Sequence, residues 1–416
     1  MNPTPELLAP AGSLAMLEQA LAFGADAVYA GQPRYSLRAR NNEFGDPARL
    51  AAGMNIARAA GKRFYVVSNI YPRNAKLATY LEDMAPVVAL GPDALIMSDP
   101  GLIMLVRERW PEMPIHLSVQ ANTVNWAAVR FWRSLGLSRV ILSREISLDE
   151  IAEIRARCPD IELEVFVHGA LCIAWSGRCL LSGYFNHRDA NQGVCTNACR
   201  WEYQVKSTPP DADAFLLEER GRPGELMPIE EDEHGTYLLN SRDLRAVEHI
   251  ARLVSIGVDS LKIEGRTKSP YYAARATQAY RRAIDDACAG RPFDPTLLAA
   301  LEGLSNRGYT DGFFVRHHDH EQQNYLRGHS EAGRSRYVGD VLTFDRLRGL
   351  AEIAVKNRFA AGDAVELIQP RGNREFTLTR LEDAAGAPVA VAPGDGHRVW
   401  APLPEDAVGA FVARFL

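Results

Sequence analysis

Four cysteines crowd into one stretch of the chain, Cys172, Cys179, Cys195 and Cys199, with Gly169, Gly177, Gly183 and Gly193 around them. Four thiolates make a complete ligand set for zinc or for an iron-sulfur cluster, and glycines let the backbone approach a bulky inorganic core. Structural zinc sites usually pair cysteines two to four residues apart, so the six residues between Cys172 and Cys179 favour iron. A 4Fe-4S cluster is the expected cofactor. Arg178, His187, Arg188 and Arg200 are interleaved with these ligands. Cations there would lower thiolate proton affinity and offset the charge of a thiolate-bound cluster, or bind an anionic substrate. Cys158 and Cys288 fall on predicted helices and read as core residues.

A second group of polar residues stands at the ends of β-branched runs: Asn69, Asp99, Gln120, Arg144, His168 and Glu264. In a barrel, a polar side chain at the C-terminal end of a strand faces the mouth, where active sites of that architecture lie. Asn69, His168 and Glu264 are the candidates for catalysis. Gln120, Arg144, Arg178, Lys262 and Arg266 are the candidates for binding an anionic substrate. Several other machines are missing. Gly328-His329-Ser330-Glu331-Ala332-Gly333 misses a nucleophile elbow by one residue, His320-Glu321 lacks the second histidine of a zinc protease motif, and neither phosphate-binding glycine fingerprint occurs. The run His317-His318-Asp319-His320 reads as an ordinary polar loop.

The elements that must position these residues are short apolar runs alternating with amphipathic helical stretches, the pattern of a parallel sheet buried on both faces. Eight runs are predicted as strands: Glu6–Ala9, Asp26–Ala30, Arg63–Ser68, Ala94–Ser98, Ile115–Val119, Arg139–Ser143, Leu163–Val167 and Ser260–Ile263. Eight is the number that closes a TIM-type (β/α)8 barrel. Helices open behind capping serines, as at Ser13 and Ser147. About ninety residues separate the seventh run from the eighth, far more than a usual βα loop, so an insertion over about 170–240 carries the cysteines out of the barrel mouth. A helix from about Arg242 to Ile256 is expected to end it. Residues 1–334 would then form the barrel, and the helix-free strand pattern of 335–416 a small all-β barrel or sandwich.

With 416 residues, 47% of them hydrophobic, the chain can bury the core of one large and one small domain. Its first residues do not read as a signal peptide and no apolar run approaches a membrane span, so a cytoplasmic protein with no membrane partner is expected. Reduced thiols follow from that setting. The net charge of −5 offers no overall footprint for nucleic acid and does not exclude a local one.

Glu164-Val165-Phe166-Val167-His168-Gly169-Ala170-Leu171-Cys172 and Ser176-Gly177-Arg178-Cys179 resemble the collagenase-like "unassigned" peptidase family. So do Leu8-Ala9-Pro10-Ala11-Gly12, Asp26-Ala27-Val28-Tyr29 and Ser260-Leu261-Lys262-Ile263-Glu264-Gly265-Arg266, and the likeness covers nearly the whole chain. Asn191-Gln192-Gly193-Val194-Cys195-Thr196-Asn197-Ala198-Cys199-Arg200-Trp201 and the small β domain are similar to the branch linked to tRNA 5-hydroxyuridine biosynthesis. That resemblance implies oxygen-independent hydroxylation of C5 of the wobble uridine, with prephenate as hydroxyl donor. It implies that the four cysteines hold a cluster whose surroundings His168 and Arg178 shape, with Arg144, Lys262 and Arg266 holding the dianionic donor. The anticodon loop of tRNA would be the macromolecular partner, its uridine stacking on Trp175, Tyr184 or Trp201. An electron donor or partner protein is a further expected contact, and the β domain either grips RNA or serves as a structural cap. Two other readings compete: a metal-dependent peptidase, which no activated nucleophile or catalytic zinc motif supports, and a non-catalytic tRNA-binding factor.

Overall fold

A computed structural model of the protein describes residues 3–32, 34–37, 42–171, 203–207, 215–220, 224, 226–229, 231–232, 235–236, 242–306, 308–315 and 335–416. Its first unit is a closed parallel barrel. The strands are β1 (Glu6–Pro10), β2 (Ala27–Gly31), β3 (Arg63–Ser68), β4 (Ala94–Met97), β5 (Ile115–Leu117), β6 (Arg139–Ile141), β7 (Glu162–Ala170) and β8 (Ser260–Ile263). Neighbours in sequence are neighbours in the sheet, and β8 pairs with both β1 and β7, which closes the ring. Each of the eight predicted runs forms one of these strands. The apolar side chains not turned inward are covered by an outer ring of helices, which is why the runs lack polar alternation.

Each strand is followed by a helix: α1 (Leu14–Ala22), α2 (Pro47–Ala59), α3 (Tyr80–Ala89), α4 (Pro100–Arg109), α5 (Trp126–Ser134), α6 (Leu148–Arg157), α7 (Ile250–Ile256) and α8 (Pro270–Cys288). Six of these eight starts are fixed by side-chain caps, α3 and α7 being the exceptions. Ser13 accepts from Met16 N, and Ser147 with Glu150 forms a reciprocal capping box at α6. Asp99, expected among the mouth residues, instead caps α4, where its Oδ1 accepts from Leu102 N at 2.8 Å ahead of Pro100. The helix expected from about Arg242 begins later. Asp243–Arg245 is a short strand antiparallel to the end of β7, and a 3-10 turn leads from it into α7. In the connection before it, Tyr203–Ser207, Phe215–Glu219 and Leu226–Ile229 pair as an antiparallel sheet.

The second unit is an antiparallel all-β domain that opens at Ser335–Asp345. Its core is separate from the barrel's and includes Val338, Ile353, Phe359, Leu367 and Val412. The final strand, Phe411–Phe415, lies inside the sheet between Ser335–Asp345 and Ala364–Ile368. Its partners are far away in sequence, so no local turn signal announces it. The two units meet through stacked rings of Tyr271 and Tyr337, with centroids 4.5 Å apart, and through a two-bond fork from Arg275 to Glu366 at 3.0 and 2.8 Å. Among the described residues, no helix is long and apolar enough to cross a membrane.

Candidate functional site

Alternate residues of the barrel strands face the axis, and several are charged. Arg139 on β6 is 1% exposed and donates to Glu6 at 2.6 Å and to Glu164 at 3.0 Å. Lys262 on β8 donates to the other oxygen of Glu164 at 2.8 Å. Tyr65 and Ser260 donate to the two oxygens of Glu6 at 2.7 and 2.9 Å. Burial opposes charge on all these groups, and the pairing decides the outcome. For Glu6, burial is the largest single influence and raises proton affinity, but Arg139, Arg63 and Tyr65 together outweigh it and hold the carboxyl below its ordinary range. For Arg139, the carboxylates outweigh it in the same way, and proton affinity rises. For Lys262, desolvation prevails over Glu164 and lowers the proton affinity of the amine. An ionic column thus runs up the barrel and ends at Lys262.

Above it a pocket opens at the C-terminal ends of the strands. Tyr29, Val67, Ile96, Ile141 and Phe166 line it lower down, and Asn69, Gln120, Arg144, Lys262, Glu264 and Arg266 bring the polar chemistry. These last six are the sequence candidates that the fold brings together. Arg144 lies over the Phe166 ring at 3.8 Å and 4.0 Å from Glu264. Arg266 donates to Ser36 at 2.9 Å. Asn69 is tied on both sides, accepting from Leu37 N at 3.2 Å and donating to Ser118 at 3.2 Å. Gln120 is 1% exposed; its Oε1 accepts from Ser98, while its Nε2 has no partner among the described residues. A buried amide of this kind is a stored demand for a hydrogen bond that a polar ligand can meet.

His168 is not part of the pocket. Strand alternation continues Glu164 and Phe166 inward to residue 168, but the register of β7 on β8 jumps between Lys262↔Phe166 and Ile263↔His168. The extra residue, Val167, is a β-bulge, and it turns His168 outward. There its ring packs among Tyr272, Tyr280 and Tyr309 at 5.4–5.7 Å. Burial lowers its pKa to about 3, with Asp243 opposing and Lys268 and Arg245 adding to the shift. The unfolded chain takes up this proton near pH 6.5 and the folded one does not, so stability falls as pH drops through that interval. His168→Phe is therefore expected to lose roughly 2–3 kcal/mol less than the parent between pH 7 and 4.5, measured by urea unfolding at each pH.

Gly169 follows the bulge with φ +105°, and a Cβ there would lie 2.4 Å from the Glu264 carbonyl oxygen. Glu264 N donates to His168 O at 2.8 Å across the same junction. Only glycine permits this approach, which fixes Glu264 against the end of β7. Ala170 lines the pocket, and the chain then leaves β7 toward Cys172. Cys172, Cys179, Cys195, Cys199 and Arg178 lie outside the described residues, as do Trp175, Tyr184 and Trp201. Cys158 is buried and Cys288 half-buried, as free thiols. Sequence reading passed over Tyr29, Ser118 and the Glu6–Arg139–Glu164 column. Charged residues inside otherwise apolar strands were the available signal for the column.

The sequence model of peptidase family U32 matches residues 12–324, and that of the peptidase family U32 C-terminal domain matches 334–414. The chain is 59% identical over 429 aligned positions to the tRNA hydroxylation protein P of Escherichia coli (strain K12), covering 97% of this chain and 94% of that one. The tRNA hydroxylation protein P of Haemophilus influenzae is 55% identical over 432 positions, with the same coverage. A solved U32 peptidase, 12% identical, covers 64% of this chain and 94% of its own with a TM-score of 0.40.

Proposed function

Because the chain belongs to peptidase family U32 through both its barrel and its β domain, we propose that it is a tRNA-modifying hydroxylase, the role for which its relatives are named. The finer reading is oxygen-independent hydroxylation of C5 of the wobble uridine, with prephenate as donor and a 4Fe-4S cluster held by Cys172, Cys179, Cys195 and Cys199. One observation carries it: Ala170, a wall of the cationic pocket, leads directly into the segment bearing four cysteines. The donor set fits the cluster, since four soft thiolates in one segment satisfy its ligand demand. When bound, such a cluster supplies electrons or a Lewis-acidic iron.

The chain's own residues supply the rest. Arg144, Lys262 and Arg266 offer cations to a dianionic donor, and Gln120 and Asn69 offer amides to its oxygens. Tyr29 and Phe166 bring ring faces, and Val67, Ile96 and Ile141 keep water from the pocket's lower part. Glu264 stands among these groups as the proton-handling candidate. Cleavage of peptides finds less support here. Among the described residues Ser118 is the serine that lines the pocket, its Oγ accepts from the Asn69 amide, and no histidine lines the pocket to activate it.

The test is mass spectrometry of tRNA nucleosides from a strain lacking the gene, with and without the gene restored, together with iron and sulfide analysis of protein purified without air. The expected result is loss and recovery of 5-hydroxyuridine derivatives and close to four irons per chain. Unchanged nucleosides in the deleted strain, with no redundant pathway operating, would falsify this function. Chelator-sensitive cleavage of gelatin by the purified protein would favour the peptidase reading instead.

A further inference from the structure

Tyr29 belongs to a sequence run that carries part of the family resemblance, and it brings a hydroxyl as well as a ring face. It is 2% exposed and lies on the axial face of β2. Its hydroxyl stands 3.0 Å from the carbonyl oxygen of Ile263 and 3.2 Å from Oε2 of Glu264. Lys262 Nζ sits 4.4 Å and the Arg266 guanidinium 5.6 Å from the centre of its ring. Two residues along the same face comes Gly31, where a Cβ would lie 2.5 Å from Nη1 of Arg266 and 2.6 Å from Oγ of Ser36. So β2 presents first a ring and then a gap. Both features serve the cations that arrive from β8.

We infer that Tyr29 is a positioning residue with two separable duties at the barrel mouth: its hydroxyl orients the Glu264 carboxylate, and its ring, with the space at Gly31, seats Lys262 and Arg266 to receive an anionic co-substrate. This deepens the proposed function and rests on the mouth being the reaction site. The two duties use different parts of one side chain. A hydroxyl is a directional donor, whereas a ring face attracts cations through its quadrupole. The hydroxyl also stays protonated, because burial and the Glu264 carboxylate push its proton loss well above the usual tyrosine range. Its single proton is shared between the Ile263 carbonyl and the Glu264 carboxylate, so it remains a donor that ties Glu264 to the end of β8.

Substitution can separate the duties. Tyr29→Phe keeps the ring and removes the hydroxyl; Tyr29→Leu removes both; Gly31→Ala keeps Tyr29 intact and intrudes on Arg266. With the holoenzyme, prephenate is the probe, its affinity read by calorimetry and its turnover read as hydroxylated uridine formed in tRNA. Tyr29→Phe should bind prephenate within about twofold of the parent, with unchanged KM, and lose about tenfold in kcat. Tyr29→Leu and Gly31→Ala should each weaken prephenate about tenfold. A residue that merely supports the fold would lower affinity, kcat and thermal midpoint together. The inference is overturned if Tyr29→Phe loses affinity as Tyr29→Leu does, or if it keeps full kcat. Should Tyr29→Leu fail to fold, undiminished prephenate affinity in Gly31→Ala overturns the seating of the cations. A parent protein that restores tRNA modification in cells yet ignores prephenate overturns that half as well. A parent protein that restores no modification sinks the functional reading first, and this inference with it.

Discussion

Arg139→Met should lower stability by about 3–5 kcal/mol, because it leaves buried carboxylates without their shared cation. The guanidinium is reached from three sides, by Glu6 and Glu164, which are buried, and by Glu162, whose side chain is half-exposed. Methionine matches much of the volume, so lost packing is a minor part of the effect. The charge is the major part: Glu6 would keep Arg63, Tyr65 and Ser260, and Glu164 would keep Lys262, but neither pair was balanced for that load. A urea midpoint lowered by about 1–2 M is the expected reading. A drop within the error of the parent would mean that the column relaxes into water more readily than its burial suggests.

Cys172→Ala is expected to bring 5-hydroxyuridine derivatives in tRNA to background, a fall of about a hundredfold or more, and to remove most of the bound iron. Cys179→Ala should do the same. Alanine preserves the small size of cysteine, so the expected signature is loss of iron and activity with the barrel still folded by circular dichroism. The described barrel core already draws on all eight strands, which is why the two readouts should part. Full iron content in either variant would remove that cysteine from the ligand set, and loss of the folded signal would instead mark a structural metal site.

The parallel barrel was legible because a strand buried on both faces is mostly apolar, as Phe64–Val67 is, while the few charges inside such runs pair with one another, as Lys262 does with Glu164. The convergence of Asn69, Gln120, Arg144, Lys262, Glu264 and Arg266 followed from the same geometry, since all but Lys262 lie at or just beyond strand ends. The position of His168 was not legible. It depends on one extra residue in β7 relative to β8, and the partner that exposes the slip lies nearly a hundred residues away. Asp99 stands where a strand end and a helix start coincide, and the Asp-Pro pair gives it to the helix. Tyr29 escaped notice because an aromatic inside an apolar strand looks like any other core residue until Glu264 is brought to its hydroxyl by closure of the barrel.

The junction of the two units has a practical side. Arg275 and Glu366 are each matched to the other with two bonds, and Tyr271, Tyr337 and Phe411 share one aromatic nest with contributions from both halves. A chain cut near residue 335 would therefore present a sticky, half-finished surface bearing a guanidinium without its carboxylate partner. Truncation phenotypes at that point would report clumping of the remnant before they reported any job performed by the missing piece.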